Sequence, residues 1–135
     1  MTALSPVDEI RNLMARFAFL ADGSPELGPL LDLLTEDAEW VVGGTATTGR
    51  AAIGERLGGS RAAGVAGPGS GTRHLITTLE VVPTGEDAAT ARSYWLLVAG
   101  GETTECRMVG EYRDTLRRTP DGWRISRREV VVGTA

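Results

Sequence analysis

From Thr72 onward the chain passes through four strand-length segments whose connections are too short to hold a helix. The segments cover about 72–82, 88–98, 103–116 and 123–132. They are separated by Pro83-Thr84-Gly85-Glu86, Gly100-Gly101 and Thr119-Pro120-Asp121-Gly122. Links of this length and composition make hairpins, whereas a parallel crossover needs a dozen residues or more. The C-terminal half is therefore expected to be a curved, mostly antiparallel sheet, and the N-terminal half must supply what covers it.

That half reads as helical. Ser5 can cap, Pro6 suits a first turn and Asp8 lies in the favourable end of the helix dipole. Apolar residues follow at Ile10, Leu13, Met14, Phe17, Ala18 and Ala21, and Gly23 provides a stop. At roughly 100° per residue, Asp22 falls beside Ala18, on the edge of the apolar face. A second short helix is predicted over 25–34, with Thr35-Glu36-Asp37 as its break and a strand over 38–42 after it. Gly43-Gly44 turns the chain, and a third helix spans 50–57. The stretch 58–71 holds six glycines and Pro68, so it is read as a mobile loop and a possible lid. Helices first and a hairpinned sheet after them predict an α+β layer fold in a single domain over 1–135.

Composition removes several chemistries. The 135 residues contain 14 basic side chains, and every one is arginine. Without lysine there is no Schiff base, no lysine general base and no P-loop lysine, so Gly67-Pro68-Gly69-Ser70-Gly71 is a poor phosphate loop. One cysteine, Cys106, and one histidine, His74, cannot furnish a usual zinc site or an intramolecular disulfide. No metal and no cofactor is expected. A net charge of −4 with scattered arginines argues against a nucleic-acid partner, and no apolar run is long enough for a membrane span. The N-terminus shows no secretory pattern, so a cytoplasmic location is expected.

His74 and Asp22 are the residues most able to do chemistry. A carboxylate that accepts from one imidazole nitrogen fixes the tautomer, makes the other nitrogen more basic and stabilises the imidazolium. Taken singly, each residue keeps an ordinary alternative. Alternation puts His74 with Ile76, Thr78 and Glu80, while the opposite face carries Leu75, Leu79 and Val81 and is the more apolar. His74 could thus be a partly exposed histidine, and Asp22 before Gly23 a turn residue.

The order of segments resembles the SnoaL-like branch of the NTF2-like superfamily. The helix from Ile10 to Asp22 is followed by LLTEDAEWVVGG, TGRAAIGERL, GTRHLITTLEV, ARSYWLLV and VGEYRDTLRRTPDGWRISRRE, together covering about 6–132. The resemblance implies a cone-shaped α+β fold with a pocket. It also implies an acid–base activity of the kind found in scytalone dehydratase, polyketide cyclases and the hexachlorocyclohexane dehydrochlorinase. Carried over by motif, the catalytic positions fall on Asp22 and His74. Arg128, five residues after Trp123, would stabilise developing negative charge, although a surface ion pair is its ordinary alternative. Pocket positions fall on Phe17, Trp40, Tyr94, Trp95, Leu97, Met108 and Tyr112, with Tyr94 or Tyr112 as a further anion stabiliser. The dehydratase's tyrosine pair has no clear match, Ala21 preceding Asp22, and its second histidine is absent. The reaction is left open among dehydration, isomerisation and cyclisation.

The expected function is a cofactor-independent lyase or isomerase acting on a small, largely apolar cyclic or polyketide-like substrate, as in secondary metabolism. The alternative is a non-catalytic small-molecule-binding or accessory protein of the same fold. The family resemblance also implies a homodimer or homotrimer.

Overall fold

The computed structural model describes residues 3–134. Helix α1 (Pro6–Gly23) opens with Ser5, whose hydroxyl accepts from the Asp8 amide at 3.2 Å. Its buried face carries Ile10, Leu13, Met14 and Phe17. A one-turn helix, α2 (Gly28–Leu31), leads into strand β1 (Leu34–Val42). Strand β2 (Thr45–Thr48) and helix α3 (Arg50–Ala62) precede the four long strands β3 (Thr72–Pro83), β4 (Ala88–Ala99), β5 (Glu105–Thr119) and β6 (Gly122–Val132).

The six strands form one mixed, unclosed curved sheet in the order β2-β1-β6-β5-β4-β3. Every neighbouring pair is antiparallel except β1 with β6. The sheet's concave side packs on α1, and Ile10, Leu30, Leu34, Ile53, Leu116 and Ile125 are among the most deeply buried residues of the core between helices and sheet. No helix among the described residues is long and apolar enough to cross a membrane.

Four local readings are corrected. The second helix ends at Leu31 rather than Leu34, because Leu34 is already paired with Ile125 of β6. The segment Thr35-Glu36-Asp37, read as a break, is irregular strand inside β1. Strand β2 escaped notice because its side chains are all polar or small and mostly exposed, so no alternation marks it. Finally, α3 runs to Ala62, so the first part of the glycine-rich stretch is helical. The remainder is a chain of hydrogen-bonded turns: Gly64 N–H donates to Arg61, Val65 N–H to Ser60 and Ser70 N–H to Gly67.

Two irregularities in the sheet decide which side chains point inward. In β3 the register with β4 shifts between Thr77 and Glu80, and Thr78 takes φ 50°, the only positive φ of a non-glycine among the described residues. Such a bulge inserts a residue and reverses the alternation beyond it. His74 and Ile76 therefore share the concave face with Leu79 and Val81. In β6 a comparable shift falls between Ile125 and Arg127, opposite Leu116 and Thr115. It turns both Ile125 and Arg128 inward although they are three residues apart.

Candidate active site

Helix α1 ends over β3, and there Asp22 and His74 meet. The Nδ1 of His74 lies 2.7 Å from Asp22 Oδ1, and the backbone N–H of His74 donates to both carboxylate oxygens at 3.1 Å. Each side chain is 17% exposed. With Nδ1 held against a carboxylate as the N–H, Nε2 is left as the basic nitrogen of the neutral ring.

His74 is also part of the wall of a partly open cavity of about 260 Å³ between α1, α3 and the concave sheet. Phe17, Trp40, Trp95, Leu97, Met108 and Tyr112 are on its walls, together with Leu57 and Val130. The rings of Phe17 and Trp40 stack at 6.0 Å between centroids, and Trp95 stacks on Tyr112 at 5.8 Å. Trp95 needs the room left by Gly110, where an added Cβ would collide with the indole and with the Val131 carbonyl oxygen. The walls are mostly aromatic and aliphatic, with His74, Arg56, Ser60 and Arg61 as their polar groups, which suits a largely apolar, cyclic guest.

Tyr94 is corrected. Alternation along β4 turns Ser93, Trp95 and Leu97 inward and Tyr94 outward, where it is exposed on the convex face. Its hydroxyl therefore cannot serve the cavity.

Arg128 is neither a surface ion-pair partner nor part of the cavity wall. It is buried, and its Nε and Nη2 donate to Asp114 at 2.8 and 3.0 Å. Nη2 also approaches the Met14 sulfur at 3.2 Å. The guanidinium lies 3.9 Å from the Tyr112 ring centre and 4.4 Å from that of Phe17, behind two cavity-wall rings. Its Nη1 is buried without a hydrogen-bond partner among the described residues. Burial works against the charge, but Asp114 overrides it and keeps the guanidinium protonated more firmly than usual. Burial also pushes the Tyr112 phenol up to about 12, with Arg128 pulling the other way. Tyr112 is therefore a neutral hydroxyl on the cavity wall at any ordinary pH.

Sequence reasoning passed over two residues. Asp114 shares strand parity with Met108 and Tyr112, a signal that could have found it. Arg61, in the glycine-rich stretch, donates to three carbonyls at the end of α1, and no sequence signal marked it. A second, wider cleft is polar, and its arginines are already engaged: Arg50 by the Leu34 carbonyl, Arg117 by Asp37 and Arg118 by Asp87. Among the described residues no three His, Cys, Asp or Glu side chains gather as a metal site would require.

A curved sheet backed by a long helix, with an apolar hollow between them, defines the NTF2-like or cystatin-like class. An NTF2-like protein with a cystatin-like fold from Novosphingobium aromaticivorans is 36% identical, with a TM-score of 0.80 over 96% of this chain and 84% of that one. The SnoaL-like domain matches residues 2–129, and the chain belongs to that family. Two further solved structures share the fold. Aln2 from a Streptomyces species is 20% identical with a TM-score of 0.82, covering 97% of this chain and 94% of that one. A candidate scytalone dehydratase from Novosphingobium aromaticivorans is 22% identical with a TM-score of 0.73, over 95% and 84%. No curated protein matches the chain significantly.

Proposed function

We propose that the protein is a cofactor-independent acid–base enzyme of the dehydratase, isomerase or cyclase kind, with Asp22 and His74 as its dyad. The observation that carries this reading is the 2.7 Å contact between Asp22 and His74 Nδ1 beside an aromatic cavity whose wall includes the same imidazole. In the proposed step, His74 Nε2 takes a proton from carbon next to a carbonyl or a leaving group. Asp22 stabilises the imidazolium that results. The electron pair released at carbon moves into the carbonyl or expels the leaving group. The imidazolium then returns its proton to the leaving oxygen or to another carbon. Tyr112, a neutral donor on the wall, is suited to receive the developing oxyanion. The substrate is proposed to be small, cyclic and largely apolar, bearing a carbonyl.

Solvent-deuterium incorporation into a panel of cyclic ketones and β-hydroxy ketones, followed by mass spectrometry, tests the first step without knowledge of the true substrate. The expected result is exchange by the wild-type protein that falls about 10²–10⁴-fold in His74→Ala, and falls in Asp22→Asn as well. Exchange unchanged in both variants would overturn the reading. Tight binding of the same ketones with no exchange in any form of the protein would instead favour a ligand-binding role.

A further inference from the structure

We propose that Arg61 of α3 is a positioning residue that aims Asp22 at His74 by holding the carbonyls on either side of that aspartate. This role rests on the dyad reading above. The last turn of a helix leaves carbonyls with no intrahelical partner, and α1 has no basic residue of its own there. Arg61 supplies the missing donors. Its Nη2 donates to the Leu20 and Ala21 carbonyls, each at 3.1 Å, and its Nη1 to the Ser24 carbonyl at 2.7 Å. Two of these precede Asp22 and one follows it. A planar guanidinium fork fixes direction as well as distance, so the backbone that carries Asp22 is clamped in orientation.

The electrostatics point the same way. A carboxylate at a helix C-terminus is opposed by the dipole, and the cation at that end offsets the opposition. Arg61 does this without forming an ion pair with Asp22 among the described residues. Both carboxylate oxygens thus remain available to the His74 amide and to Nδ1.

The turns after α3 are shaped around this side chain. Gly67 has φ 103°, and a Cβ there would meet Arg61 Cγ at 3.0 Å and Nε at 3.1 Å. The Ser70 hydroxyl donates to the Gly67 carbonyl at 2.6 Å and lies 2.7 Å from Thr72 Oγ1, two residues before His74. One short stretch of chain therefore grips the helix end that bears Asp22 and then delivers His74 to it.

Because His74 is the only histidine, its imidazole resonances in ¹⁵N-labelled protein are unambiguous. In the wild type we expect a slowly exchanging Nδ1 proton, the Nε2-unprotonated tautomer and a protected His74 amide. Arg61→Ala is expected to lose the Nδ1 proton signal and to speed exchange of the His74 amide about tenfold or more, the loss of one hydrogen bond's worth of order. Its deuterium-exchange kcat should fall about tenfold, and more than KM for the ketones changes, since Arg61 also borders the cavity. Arg61→Lys, which keeps the charge and loses the fork, should restore only part of the signature. If Arg61→Ala lowers Tm yet keeps the wild-type imidazole spectrum, Arg61 is a plain helix cap and the proposal fails. If Arg61→Ala does not fold, Gly67→Ala, which displaces the same side chain, and Arg61→Lys decide by the same spectra. Asp22→Asn separates the two ideas. If that variant leaves the imidazole spectrum unchanged, the dyad reading itself has failed.

Discussion

Two carboxylates on this protein hold nitrogen cations or near-cations at almost the same distance, and they sit in opposite environments. Asp22 meets His74 at 2.7 Å, each side chain 17% exposed, beside a cavity. Asp114 meets Arg128 at 2.8 Å with both side chains essentially inaccessible. The contact geometry hardly differs. What differs is that the imidazole has a second ring nitrogen left over from its carboxylate contact, whereas the guanidinium holds a permanent charge. The Asp114–Arg128 pair is therefore a fixed, net-neutral ion pair built into the sheet. The Asp22–His74 pair has one nitrogen free and a place for a guest next to it. Exposure and a free nitrogen, not the presence of an ion pair, separate a structural contact from one suited to chemistry.

That contrast can be broken by substitution. Asp114→Ala leaves the Arg128 guanidinium buried and unpaired, so urea unfolding should show a loss of about 3–5 kcal/mol. A loss below about 1 kcal/mol would mean that the pair is no more than a surface-strength contact. Alkaline pH should attack the same neighbourhood through Tyr112. Its folded value is raised to about 12 from the ordinary 10.0. Below pH 10 both folded and unfolded chains hold the proton, and stability is unaffected. Above it the unfolded chain releases its proton first, so stability should fall until about pH 12, by about 2–3 kcal/mol in all. Phenolate absorbance of the Tyr94→Phe variant, in which Tyr112 is the sole tyrosine, checks this directly, and ionisation complete by pH 11 would contradict it.

The dyad should behave in the reverse manner. Asp22→Asn keeps an oxygen to accept from the His74 amide, so it should cost about 1 kcal/mol or less of stability while deuterium exchange collapses. Stability loss equal to that of Asp114→Ala would erase the distinction drawn above. At the weakest end stands the exposed Arg117–Asp37 pair. Arg117→Ala should leave the unfolding midpoint unchanged within error, because solvent screens such contacts.

Much of this architecture could be read from the chain. The Ser5-Pro6 start, the Ile10-Leu13-Met14-Phe17 face and the turn clusters at Pro83, Gly100 and Thr119 define α1 and four hairpinned strands through local rules. Other parts obeyed no local rule. The polar β2 carries no alternation, and Leu34 looks helical until β6 pairs with it. The mobile reading of 58–71 came from counting glycines, whereas Arg61 and Ser70 hold those turns in place.

The layer order, the mostly antiparallel sheet and the short supply of chemically capable side chains follow from periodicity and turn residues, which act over a few positions. Only the tertiary structure decided which face His74 and Arg128 occupy. Alternation alone would set His74 against the apolar side of β3 and Arg128 against the inward side of β6. The bulges at Thr78 and near Ser126 reverse both. An extra residue is inserted where sheet curvature and the packing of α1 demand it, and those demands come from residues far away in the chain.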